Sequence, residues 1–398
     1  MRPLACAALV AAIVLATPAF AQDSRDQELA TRQAEKATQL HPYEPDAMER
    51  RLAQVDSLLK LMTGPVYPFV GSAIEGGGFS LGPGYRRTFA DTGHLDVHAG
   101  VSLKNYKVAD ATLALPSFAS DRISIEMRAN WLDAPDVAFY GTGSNSLRDN
   151  RTGYAYRATT VGVTTRVEAA RHLTVGAGFD AIQTETGIAG LSTDLAGGPL
   201  AGLGAAPALT ANSPSYRRTR LFAEFDNRTS PGYTRRGGLY RVEWSDYRQT
   251  NAGPFSFSRV DAEARHFIPL MRENWIIALR AQASSTTTAS GHEVPYFLLP
   301  ELGGGDGLRG YPSWRFRDRN RLLLSGEYRW TAGQFVDMTL FLDAGNVASR
   351  MGDLDASGFK KTYGVGMTLH TATTTVTRIE LARTSEGSSL RLSFSPSF

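Results

Sequence analysis

The chain has 398 residues, with 42 Lys and Arg against 39 Asp and Glu and a formal net charge of +3. That near balance excludes a nucleic-acid binder built on a clustered basic face, so no nucleic-acid partner is expected. The length exceeds one small domain and suits one large all-β barrel.

The N-terminal stretch MRPLACAALVAAIVLATPAFAQ combines Arg2, an apolar run and Ala19-Phe20-Ala21. It reads as a signal peptide over 1–21, cleaved before Gln22. The run is short for a membrane anchor and ends in a cleavage pattern. The single cysteine, Cys6, lies too near the start to follow a full apolar core, as a lipoprotein signal requires. Cleavage removes it, so the mature chain is expected to have neither disulfide nor thiolate chemistry.

Residues 22–65 form a helical periplasmic segment on this reading. Its body, 23–63, is rich in Glu, Gln, Ala, Arg and Leu. Glu44-Pro45-Asp46 suits a helix start. Met48, Leu52, Val55, Leu59 and Met62 then recur at helical spacing. One or two amphipathic helices fit, with the apolar stripe packed on the protein itself. Mixed charge makes a membrane-surface helix the weaker reading.

From 66 to 398 the period changes to two. Ile123, Ile125, Met127, Ala129 and Trp131 oppose Ser124, Glu126, Arg128 and Asn130. Leu322, Leu324, Tyr328 and Trp330 oppose Arg321, Ser325, Glu327 and Arg329. Met338, Leu340 and Leu342 oppose Asp337, Thr339 and Asp343, and Trp275, Ile277 and Leu279 oppose Arg280 and Gln282. The final stretch sets Leu390, Leu392, Phe394 and Phe398 against Arg391, Ser393 and Ser395, with Phe394 and Phe398 as a C-terminal strand signal. A soluble sandwich also alternates. Here the polar face carries large charges on many strands, and Trp and Tyr bound the apolar face near strand ends. A watery, charged lumen and a lipid-facing band with aromatic girdles account for both.

The expected fold is therefore all-β: a transmembrane antiparallel barrel of about 16 strands over 66–398. Strands are expected from near 66, 78, 94, 107, 121, 152, 171, 216, 236, 255, 273, 317, 336, 360, 375 and 388. Long connections fall at 134–151, 184–215, 287–316 and 347–359, alternating with short turns. With both ends in the periplasm, every long connection lands outside, as such barrels require. The 184–215 stretch is Gly- and Ala-rich with little charge and reads as a surface loop.

One long connection contains GGGDGLRGYPSWRF, residues 303–316. Its glycines permit an inward turn, and Arg309 could then meet Glu327 and Asp343, which alternation places in the lumen on adjacent strands. Arginine suits this position because its planar fork can bridge two carboxylates and stays charged. A purely structural lock and a role in transport are equally compatible with that pattern.

Other patterns lack their context. Gly78-Phe79-Ser80-Leu81-Gly82 matches GxSxG but lies in a strand with no helix after it. His94 and His98 share a strand without a completing carboxylate pattern. No catalytic residue, metal or cofactor is expected.

Leu308-Arg309-Gly310-Tyr311 resembles the VRGF/Y loop motif of the BamA/TamA-type outer-membrane assembly and translocation superfamily, also called bacterial surface antigens. Phe341-x-Asp343-x-Gly345 is similar to that family's strand motif, which receives the loop arginine, and Gly326-Glu327 fits the neighbouring strand. Asp226-Asn227-Arg228 and Arg236-Gly237-Gly238 resemble its turn region. The resemblance spans 66–398 and is sharpest over 296–346 and at the C-terminus. It implies a bacterial outer-membrane location among outer-membrane lipids. It also implies a role in biogenesis: inserting a client barrel, or moving protein or lipid through a weak seam between first and last strands. Residues 22–65 are too short for even one POTRA domain, so the resemblance is to a POTRA-less member. A periplasmic partner could then engage the 22–63 helices. The alternative is a passive or gated pore, or a structural surface antigen.

Overall fold

A computed structural model describes residues 31–32, 64–90, 92–188, 213–270, 273–394, 396 and 398. The chain divides into two compact units, Met1–Lys60 and Leu61–Phe398. In the first, only Thr31 and Arg32 are described, as helix. The expected signal peptide and the rest of the helical segment lie outside the described residues.

The second unit is built from strands. The first ten are β1 Val66–Gly71, β2 Ser80–Phe89, β3 Gly93–Ser102, β4 Lys107–Ala114, β5 Ile123–Phe139, β6 Thr152–Ala170, β7 Leu173–Ile188, β8 Ser215–Asp226, β9 Gly237–Gln249 and β10 Phe257–Leu270. Then come β11 Trp275–Thr287, β12 Glu301–Leu302, β13 Phe316–Arg317, β14 Asn320–Gly333, β15 Val336–Ala348, β16 Lys360–His370, β17 Thr375–Thr384 and β18 Gly387–Ser393. Sixteen of them form one antiparallel sheet in chain order, while β12 and β13 pair separately within the connection between β11 and β14. β1 and β18 end the strand order, and among the described residues no ladder joins them.

The alternation explains why these segments are strands with these faces. Leu279, Leu324, Leu340, Leu342, Leu390 and Leu392 are exposed, while Arg280, Glu327, Asp337, Asp343 and Glu380 are buried. Water would favour the reverse; a lipid surround with a charged interior favours this arrangement. The sheet curls so that distant strands meet inside it. Phe398 packs on Phe267 of β10, and the turn after β8 hydrogen-bonds to β17 through Thr375 N and Gly232 O at 2.9 Å. That turn also reaches the lumen-facing side of β15 and β16. Tyr233 donates to Asp337 and stacks on His370 with ring centroids 3.9 Å apart. Arg235 pairs with the same Asp337 at 3.2 Å.

Strand starts depart little from the reading of the sequence; β14, expected from 317, begins at Asn320. Two differences have physical causes. β5 was expected to end at Asp133 but continues to Phe139 through a register shift between Ala134 and Val137. Pro135 there marks a bulge instead of a strand end. Phe398 was expected on the outer apolar face with Leu390 and Leu392. It is buried at 6% exposure beside Phe267, Ile276 and Ala278. β18 stops at Ser393, so alternation carries no information beyond it.

With long loops outward, the 250–256 connection faces the cell exterior and the 334–335 turn faces the periplasm. A cysteine at Ala252 should react with an impermeant maleimide on intact cells. One at Gln334 should react only after the outer membrane is permeabilised. Reversed labelling would invert the topology.

Candidate functional site

The connection from 288 to 319 does not project away from the barrel. β12 and β13 pair Glu301 with Arg317 and Leu302 with Phe316, making a stem whose tip is 303–315. Leu302, Leu308, Tyr311 and Phe316 bury together against Leu323 of β14 and Val347 of β15. Leu323 points inward among polar neighbours, giving the loop an apolar seat inside the lumen. Gly310 has φ +92°, and a Cβ there would sit 2.8 Å from Thr384 and 2.9 Å from Ala382. Both facts require glycine. Gly345 makes room in another way, since its Cβ would come within 2.9 Å of Leu302 Cδ1. Tyr311 closes the tip, its hydroxyl 2.9 Å from Ser385 Oγ.

This seat delivers Arg309 to the interior at 4% exposure. Its Nε and Nη2 donate to Asp343 Oδ2 and Oδ1 at 2.8 and 2.7 Å, a bidentate pair. Its Nη1 donates to Glu327 Oε1 at 2.5 Å and to Glu380 Oε1 at 2.9 Å. The guanidinium lies 3.8 Å from the centroid of the Phe341 ring, so four of the expected residues meet at one point. The remaining oxygens have cations of their own. Arg329 Nη2 reaches Glu327 at 2.6 Å, and Arg378 Nη2 reaches Glu380 at 3.2 Å. Three arginines thus balance three carboxylates. Paired charges of this kind are the condition under which ions tolerate burial.

Glu380, Arg329 and Arg378 were not among the residues expected here. Their signal was available: Arg378 and Glu380 occupy the polar face of β17 by the same alternation that placed Glu327 and Asp343 inside. Phe394, just beyond β18, is exposed. Ser80 of the GxSxG string is buried and accepts the Ala73 N–H at 3.2 Å. His98 stacks on Phe69 and bonds Asp96 at 3.0 Å.

Further contacts tie the loop to the barrel rim. Arg315 pairs with Glu386 beyond β17 at 2.8 Å and donates to Ser146 O at 2.7 Å. Arg317 pairs with Glu301 at 3.0 Å and donates to Tyr154 Oη at 2.7 Å. Glu75, just after β1, accepts the Gly305 and Asp306 backbone N–H groups. Burial raises the Glu75 carboxyl above its ordinary range, and the nearby Asp306 carboxylate adds to that.

Two outcomes follow. Arg309→Ala leaves three acids around an unfilled position and should cost about 3–5 kcal/mol where the site is dry. Asp343→Asn should also destabilise, and the double variant should lose less than the sum, because both changes remove one interaction. Arg309→Lys should recover only part, lacking the fork. Denaturant unfolding in detergent measures all four; strict additivity would mean that Arg309 and Asp343 are not coupled. For Glu75 the raised pKa means that folding favours the protonated acid. Its contribution is therefore complete below the ordinary value of 4.5 and is lost as pH rises through the folded value. Glu75→Gln should accordingly stabilise the protein at neutral pH, with the gain vanishing in acid; a gain that grows in acid would reverse the sign.

The model of the Omp85 superfamily domain matches residues 92–386. Among solved structures, the chain is similar to BamA from Haemophilus ducreyi lacking POTRA domains 1-3, with TM-score 0.63 and 13% identity, over 82% of this chain and 67% of that one. It is similar to CdiB from Escherichia coli, with TM-score 0.54 and 12% identity, over 85% and 68%. It also resembles CdiB from Acinetobacter baumannii, with TM-score 0.51 and 9% identity, over 80% of this chain and 53% of that one. No curated protein matches. At these identities the structures establish the fold, and the domain match, which covers most of the chain, establishes the family. With its lipid-facing apolar surface and charged interior, the chain belongs to the Omp85 superfamily of bacterial outer-membrane β-barrel proteins.

Proposed function

We propose that this barrel serves outer-membrane biogenesis, admitting a client barrel protein, or a translocating protein or lipid, at the seam between β1 and β18. The observation that carries this reading is the end of the strand order: β1 and β18 have no ladder between them among the described residues. Both are short, at 6 and 7 residues, beside neighbours of 10. Pro68 within β1 removes one backbone donor from that edge. An edge with unpaired N–H and C=O groups is a template for strand addition.

The inward loop fits the same reading. It folds into the lumen against β14 and β15, and in this proposal the seam is the yielding part of the wall. Arg309, joined to carboxylates on β14, β15 and β17, fixes the strands nearest the seam on one side. Glu75 carries the loop's hold to the other side, beyond β1. In this proposal the arginine cluster is a lock that keeps one wall rigid while the seam opens. A periplasmic partner would engage the 22–63 segment. A wide passive pore is disfavoured because the apolar loop cluster and the ion cluster lie on the lumen side of β14, β15 and β17.

The full chain in liposomes should accelerate the folding of an added unfolded outer-membrane barrel by at least about tenfold over empty liposomes. In planar bilayers it should conduct weakly, and deletion of 303–316 should raise conductance. Large steady conductance by the intact chain, with no acceleration of client folding, would favour the pore.

A further inference from the structure

Near the end of the wall that bears the long loops, the lipid-facing side carries a row of charges. Lys107 of β4, Asp133 of β5, Arg157 of β6 and Glu185 of β7 follow one another in register, each directly opposite the next. Their signs alternate, and each step closes as an ion pair: 3.3 Å for Lys107–Asp133, 3.7 Å for Arg157–Asp133 and 2.9 Å for Arg157–Glu185. Opposite charges facing each other across a ladder stabilise it, and like charges weaken it.

The next two strands break that rule. Arg217 of β8 stands directly opposite Arg248 of β9, close to the strand ends at Ser215 and Gln249. Both point away from the lumen: Arg217 shares its face with exposed Leu221, and Arg248 with exposed Val242 and Trp244. Direct register puts their Cβ atoms roughly 5 Å apart, so two side chains with accessible guanidinium groups start from one place on the surface. Arg248 Nε donates to Asp246 at 2.6 Å, yet its side chain is still 73% exposed. Asp246 also accepts from Ser258 Oγ at 2.7 Å. Arg217 is exposed and has no carboxylate partner among the described residues. Two arginines against one aspartate leave one positive charge on this patch.

Below the pair, toward the middle of the wall, Leu221 stands opposite Trp244, and both are exposed. The patch therefore offers cations and then an apolar floor, in the order in which a lipid presents its headgroup and its chains. A phosphate at that depth supplies the missing negative charge and several oxygens for two planar forks.

We propose that Arg217 and Arg248 bind the phosphoryl headgroup of an anionic membrane lipid against the outside of the barrel, with its chain along Leu221 and Trp244. The site is separate from the Arg309 cluster and does not depend on the client reading.

The test is native mass spectrometry of the full chain in detergent, with dioleoyl phosphatidic acid as probe and dioleoylglycerol, which lacks the phosphate, as control. One phosphatidic acid per barrel should be retained at concentrations where the diacylglycerol is not. Arg217→Gln combined with Arg248→Gln should weaken retention by about tenfold or more, the loss of hydrogen bonds between charged groups. Each single variant should fall between, and serves if the double variant fails to fold; gel migration of unheated samples reports folding. Lys107→Gln removes the same charge from the paired row and should leave retention unchanged. Equal retention of the diacylglycerol overturns the proposal, as does undiminished retention by the folded arginine variants. An equal loss in Lys107→Gln overturns it too, since the attraction would then belong to the overall charge. Displacement of the lipid by an equal concentration of inorganic phosphate would overturn it in favour of a free anion.

Discussion

Burying the Arg309 guanidinium is the constraint around which the rest of the interior is arranged. A charge taken out of water must be matched by opposite charge and by hydrogen bonds, or the fold loses several kcal/mol. Asp343, Glu327 and Glu380 provide that match, and the dependence runs in both directions. Three acids facing one another across β14, β15 and β17 would repel in a confined lumen without a cation among them. Arg329 of β14 and Arg378 of β17 supply two cations, and the loop brings the third, the one that touches all three acids. The glycines at 310 and 345, the inward Leu323 and the β12–β13 stem all serve to deliver one side chain.

The lumen is consequently layered. Loop and rim side chains form an aromatic cluster around Tyr154, Tyr296 and Trp314 toward the outside. Beneath it lie the smaller apolar seat of Leu302, Leu308 and Phe316, then the arginine–carboxylate cluster, then the Tyr233–Asp337–His370 contacts toward the far end. The two short edge strands, β1 and β18, end the strand order, and that seam is where the activity is proposed.

Much of this was legible in the sequence because a membrane barrel imposes a strict code. Lipid outside and charge inside force alternation on every strand, so Met127, Leu324 and Leu342 declared one face while Glu327 and Asp343 declared the other. Arg309 stood out because glycines flanked it. Glu380 was equally legible but sits far along the chain, and pattern alone does not say how far the sheet curls. Leu323 was harder to assign: an apolar residue between Leu322 and Leu324 marks a face only once the loop that covers it is known. Phe398 was misplaced because strand periodicity stops at Ser393. The run through Pro135 was cut short because a bulge and a strand end carry the same proline signal.

The most direct measurement is amide hydrogen exchange, by mass spectrometry, on peptides covering 303–311 in the native protein and in Arg309→Ala. If the arginine holds the loop inside the barrel, these amides exchange slowly in the native protein and much faster in the variant, while β14 and β15 stay protected. Equal protection of the loop in both proteins would contradict the account.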